Sequence, residues 1–137
     1  MICQTIFSNG VREWLIFGQD SRNPSSLIYT NQVLITEGLR SILVDPGGFE
    51  IFPKFLAEIS KKASIKHIEK IFLSHQDPDV VSSLPLWHRV TADGLTDLVS
   101  EIWADSLYQL DAGSCISPIP AAVYEIPFGD NPAQRAI

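Results

Sequence analysis

The spacing of apolar residues changes character once, near residue 46. Before that point they fall in short runs separated by turn signals. Cys3–Phe7 and Glu13–Phe17 flank Asn9-Gly10, a dipeptide suited to a tight hairpin. The polar loop Ser21–Ser26, with Pro24, precedes Leu27–Thr36, whose alternation and β-branched and aromatic content predict a strand. Glu37-Gly38 turns the chain into the apolar strand Arg40–Val44, which Asp45-Pro46-Gly47-Gly48 ends. These segments predict antiparallel β-structure.

Helical spacing follows. Phe52, Phe55, Leu56 and Ile59 share one helix face, and Pro53 suits that helix's first turn. Ile68–Leu73 predicts a compact strand. After the polar Ser74–Asp79, a helix is predicted from near Val80 through Leu84–His88. Thr96–Ser100 reads as a strand, Glu101–Leu110 as a helix and Val123–Ile126 as a last strand. A meander followed by βα units predicts a layered α/β (α+β) fold, with an antiparallel or mixed sheet and flanking helices.

The chain has 137 residues, 45% of them hydrophobic, which fits one domain with a real core and excludes wholesale disorder. Ten Lys+Arg against 16 Asp+Glu leave a net charge of −6, which argues against nucleic-acid binding. All the lysines (Lys54, Lys61, Lys62, Lys66 and Lys70) lie in one stretch, which reads as a solvated helix face and its exit, with an anion or partner patch as the alternative. No apolar run reaches the ~18 residues of a membrane span, and Met1-Ile2-Cys3-Gln4 is no secretory signal. A cytoplasmic protein without membrane contact is expected. Two cysteines without a C-x-x-C exclude a cysteine-rich zinc site. G-x-S-x-G, P-loop and G-x-G-x-x-G motifs are also missing, and no catalytic residue can be named.

One segment carries chemistry. Ile71-Phe72-Leu73-Ser74-His75-Gln76-Asp77-Pro78-Asp79 is an apolar strand delivering a histidine and two aspartates at alternate positions. In extended backbone these side chains point the same way, and Pro78 pushes Asp77 toward that conformation. His75, Asp77 and Asp79 are therefore candidate metal ligands. An imidazole with two carboxylates suits iron, manganese or zinc. The spacing also admits plain structural roles: Asp79 as a helix cap, Asp77 as a turn residue, His75 as a strand-end histidine.

This stretch resembles the H-x-H-x-D-H loop of the metallo-β-lactamase fold superfamily. Upstream, Asn31–Thr36 and Ile42-Leu43-Val44-Asp45-Pro46-Gly47-Gly48 resemble its paired strands ending in an Asp-x-Gly turn. A carboxylate, Asp77, in place of the second histidine resembles the di-iron branch, the flavodiiron proteins and stand-alone oxygen-binding di-iron domains. The resemblance covers roughly Leu27 to Trp103. It implies that His75 and Asp77 ligate one non-haem iron and Asp79 a second, with Asp45 setting the turn below. It implies dioxygen or another small molecule as ligand, and a redox or signalling partner protein. No FMN-carrying domain is expected on these residues, so a reductase of this kind would need a separate electron donor.

Two departures qualify that reading. Val80 stands where the superfamily has its last motif histidine, and beyond Asp79 the sequence offers only His88, expected as a helix-surface or packing histidine. Residues 1–137 are thus expected to form a single domain, the N-terminal half of an αββα sandwich. Such a half would be incomplete as a metal site and prone to self-association through its open sheet face. The runner-up functions are a metal-dependent hydrolase using zinc or manganese and a metal-free remnant, so enzymatic activity is left open. Asp97 was expected to be replaceable without loss of metal.

Overall fold

The structure, a computed structural model, describes residues 1–22 and 30–98 in full and the backbone of four further strand segments to residue 136. Strands β1 (Ile2–Ser8), β2 (Arg12–Gly18), β3 (Gln32–Glu37) and β4 (Arg40–Val44) come first. Helix α1 (Phe52–Ile59) leads to β5 (Ile68–Leu73). Helices α2 (Pro78–Val81) and α3 (Leu84–Val90) lead to β6 (Thr96–Ser100), followed by β7 (Cys115–Ile119), β8 (Ile126–Pro127) and β9 (Arg135–Ala136). Strands β1 to β7 form one sheet in sequence order. The pairings are antiparallel as far as β4 and parallel from β4 to β7, so the sheet is mixed. The short β8 and β9 pair separately. No helix of the described residues is long and apolar enough to cross a membrane.

Turn chemistry explains the hairpin end of the sheet. Asn9 Oδ1 accepts from the amides of Val11 and Arg12 at 3.0 and 2.7 Å, and Gly10 takes a φ of 84°. The strand expected over Leu27–Thr36 is β3, beginning at Gln32; residues 23–29 lie outside the described residues, as does the expected helix over Glu101–Leu110. Strand β7 was not foreseen. The helix expected near Val80 starts two residues earlier, at Pro78, because proline is preorganised for a first turn. It breaks at Ser82-Ser83 before α3.

Strand alternation sorts the side chains onto two faces. Leu15, Leu34, Leu43 and Ile71 lie in register across β2 to β5. They pack with Phe17 and Leu73 against Phe52, Phe55 and Ile59 of α1, Val80 and Val81 of α2, and Leu84 and Trp87 of α3. Edge-to-face ring pairs link the layers: Phe17–Phe55 at 5.1 Å, Phe55–Trp87 at 5.3 Å and Phe52–Trp87 at 5.2 Å. On the other face Ile35 and Ile42 pack with Trp14, Val33 and Val44. All of these come from β2 to β4, and no described helix contributes to the cluster.

The turn after β4 is latched to the helices. The amide of Gly47 donates to Val80 O at 2.8 Å, and Gly47 O accepts from Ser83 Oγ at 2.6 Å. Gly47 has a φ of 86°, and a Cβ there would lie 2.5 Å from Ile51 Cδ1 and 3.2 Å from Gln32 Nε2. Gly47→Ala is therefore expected to cost about 2 kcal/mol through left-handed strain and overpacking. Urea unfolding of the two proteins measures it; a loss under about 0.5 kcal/mol would mean the turn relaxes freely.

Candidate metal centre

Strand β5 ends at Leu73, and the chain leaves the sheet beside the end of β4. Asp45 joins the two strand ends. Its amide donates to Phe72 O at 2.9 Å, which extends the parallel ladder by one bond. Its carboxylate accepts from the Ser74 amide at Oδ1 (2.8 Å) and from the Ser74 hydroxyl at Oδ2 (2.7 Å). Asp45 does this at a φ of 51°, the only positive φ among the described non-glycine residues. Short polar side chains tolerate that region better than most. Ser74 Oγ in turn lies 2.8 Å from His75 Nδ1.

His75 points its other nitrogen toward Asp77: Nε2 to Oδ2 is 3.7 Å, and both side chains are substantially exposed. That is too long for a hydrogen bond. It is close to the separation of two donors sharing one cation, because ligands at ~2.1 Å from a tetrahedral metal lie about 3.4 Å from each other. Asp77 is extended (φ −62°, ψ 138°) at the N-cap position of α2, yet its carboxylate makes no cap hydrogen bond. Its carbonyl does the capping work instead, accepting from Val80 and Val81. The Asp77 carboxylate is left free to face His75.

Asp79 departs from the expected alternation. It lies inside the first turn of α2, so the extended run that was to align it with His75 and Asp77 stops at Asp77. Its carbonyl accepts from Thr30 Oγ1 at 3.3 Å, and Gln32 Nε2 donates to the same hydroxyl at 2.7 Å. These bonds anchor its backbone. Its carboxylate has no hydrogen bond or ion pair among the described residues. The structure therefore brings His75 and Asp77 together, with Asp79 in the first helical turn that follows. Among the described residues no three His, Cys, Asp or Glu side chains form a group able to hold a metal.

Val80 is 1% exposed within the helix-side core and cannot ligate. His67 sits in the turn before β5, at the far end of that strand from the candidate site. His88 is not a surface residue: its Nε2 lies 2.8 Å from Oδ2 of Asp97, which is fully buried on β6. Sequence reasoning missed this pair. The one signal was a lone aspartate within the β6 run, after a helix bearing a histidine; its register with core residue Ile71 is given by the structure alone. Asp97 is thus a structural partner of α3.

The donor set fits the start of a metal site. One imidazole nitrogen and one carboxylate oxygen converge, and a protein hydrogen bond supports the histidine's other nitrogen, as metal-ligating histidines require.

The fold is similar to that of known structures. No curated protein matches. The family model described as ODP family beta lactamase matches residues 28–136. Among solved structures, the apo chemotaxis sensor ODP from T. denticola superposes with a TM-score of 0.75 at 28% identity, over 97% of this chain and 50% of that one. A peroxy diiron species of the chemotaxis sensor ODP gives 0.75 at 26% identity, over 98% and 51%. A flavo di-iron protein variant from Thermotoga maritima gives 0.74 at 19% identity, over 93% and 34%, a likeness of fold alone. A chain from the same organism described as a metallo-beta-lactamase gives 0.58 at 16% identity, over 80% and 59%. This chain spans about half the length of the sensor structures it matches. Its sheet and helices have the metallo-β-lactamase fold, and the chain belongs to the ODP family of beta lactamases.

Proposed function

We propose that this chain contributes to an oxygen-binding di-iron domain of a cytoplasmic sensor or redox protein. His75 and Asp77 would hold one non-haem iron, and Asp79 a second. The observation that carries the reading is the His75 Nε2–Asp77 Oδ2 approach on an ODP-family fold. A carboxylate where a hydrolase would use imidazole lowers the positive charge of the site and favours iron over zinc. Paired irons supply electrons for binding or reducing dioxygen. The chain's own residues do the rest: Asp45 and Ser74 brace His75, and α2 presents Asp77 uncapped. The similar sensor structures, one of them a peroxy diiron species, support the assignment.

Two converging ligands bind metal weakly, because affinity follows ligand number and preorganisation. The remaining ligands would come from outside the described residues. The lack of a third ligand among the described residues favours a second reading, a metal-free interaction module. The test is anaerobic loading with Fe(II), Mn(II) or Zn(II), desalting and metal analysis. Iron retained in preference, with a near-ultraviolet absorption that changes on admitting oxygen, is the expected result. Preferential zinc with ester hydrolysis overturns it in favour of a hydrolase. No retained metal overturns it in favour of the metal-free module.

A further inference from the structure

We infer that Asp45 and Ser74 form a relay that fixes the tautomer of His75, placing its hydrogen on Nδ1 and its lone pair on Nε2. The argument counts hydrogens. A serine hydroxyl has one hydrogen, and a carboxylate only accepts. Asp45 Oδ1 already takes the Ser74 amide, and Oδ2 lies 2.7 Å from Ser74 Oγ, so the hydroxyl hydrogen goes to Asp45. Ser74 Oγ then faces His75 Nδ1, 2.8 Å away, with lone pairs only. Two lone pairs do not meet at that distance without a hydrogen between them, so Nδ1 carries it. In a neutral imidazole the other nitrogen is then bare. That nitrogen, Nε2, is the atom facing Asp77 Oδ2. Asp45 and Ser74 are positioning residues that act through His75.

The identity of residue 45 decides the direction of the relay. Asparagine tolerates the left-handed backbone of this position as aspartate does. Its amide carbonyl would still accept from the Ser74 amide, but its NH₂ would donate to Ser74 Oγ. The serine hydroxyl would then turn and donate to Nδ1, moving the imidazole hydrogen to Nε2 and blocking that atom as a ligand. Asp45→Asn thus keeps the shape of the turn and reverses its chemistry. Ser74→Ala removes the relay, and Ser74→Thr keeps it.

The consequence for metal affinity rests on the function proposed above; the tautomer does not. The experiment is nitrogen-15 NMR of the metal-free protein in buffer at about pH 8, where free imidazole is mostly neutral. In the unaltered protein His75 is expected as the Nδ1–H form. Asp45→Asn should shift it to Nε2–H, Ser74→Ala should give a mixture, and Ser74→Thr should restore Nδ1–H. Cobalt(II) titration of the same proteins should show affinity about tenfold or more weaker for Asp45→Asn and Ser74→Ala. An Nε2–H form in the unaltered protein, or the same tautomer in Ser74→Ala as in the unaltered protein, overturns the relay. If Asp45→Asn does not fold, the two Ser74 variants decide the matter alone. A correct tautomer pattern without cobalt binding sustains the relay and sinks the metal-binding reading instead.

Discussion

Trp87→Ala is expected to lower the unfolding free energy by about 3–5 kcal/mol, the cost of emptying a large aromatic site in a core. Trp87 is fully buried at the centre of the helix layer. Its ring meets Phe52 at 5.2 Å and Phe55 at 5.3 Å, and Phe55 continues to Phe17 of the sheet at 5.1 Å. Removing it interrupts the contact between α1, α3 and the sheet at one point. The indole Nε1 has no hydrogen-bond partner among the described residues, so the loss is one of packing. This sets a second expectation. Trp87→Phe keeps an aromatic ring in the site and removes a buried donor with no partner among the described residues. It should cost under about 2 kcal/mol. Urea unfolding followed by circular dichroism measures both. Equal losses for the two variants would show that the indole hydrogen bonds after all.

The strands most readable in the sequence were those closed by explicit turn residues. Arg40–Val44 and Ile68–Leu73 have the bounds their apolar runs indicate, because Gly38 and the Asp45–Gly48 turn stop one and polar segments flank the other. The helix face Phe52, Phe55 and Ile59 was legible from spacing, and those residues are buried. The register was not legible. Parallel pairing of Ile71 with Asp97 depends on crossovers through helices, and local pattern says nothing about where such a strand returns. The buried His88–Asp97 pair was hidden for that reason. At the candidate site, the sequence showed which residues could ligate but not where extended backbone ends. Pro78 carries both tendencies: it keeps Asp77 extended and opens a helix at its own position. The alternation argument weighed the first and missed the second, so the extended run ends at Asp77 and Asp79 falls in the first turn of α2. The bracing of His75 was invisible too, since Asp45 and Ser74 meet only across the β4–β5 pairing.

Asp77→Ala separates metal binding from folding more cleanly than any other change at the site. The Asp77 side chain is 66% exposed and makes no cap bond, so its removal should alter the unfolding free energy by no more than about 0.5 kcal/mol. Its carboxylate supplies half of the converging donor pair. Affinity for Fe(II) should therefore fall at least as far as losing an outer-shell partner would lower it, roughly 10- to 100-fold. Asp93→Ala is the matched control: Asp93 is exposed and lies in the turn before β6, at the opposite end of the parallel strands. Asp97 cannot serve as that control, because it is buried against His88. A ligand that binds only the folded state raises its melting temperature by mass action. Saturating Fe(II) should thus raise the midpoint of the unaltered protein and of Asp93→Ala, and leave Asp77→Ala where it stands without metal. If iron shifts all three equally, the cation sits elsewhere, and the His75–Asp77 approach is an ordinary surface contact at a strand end.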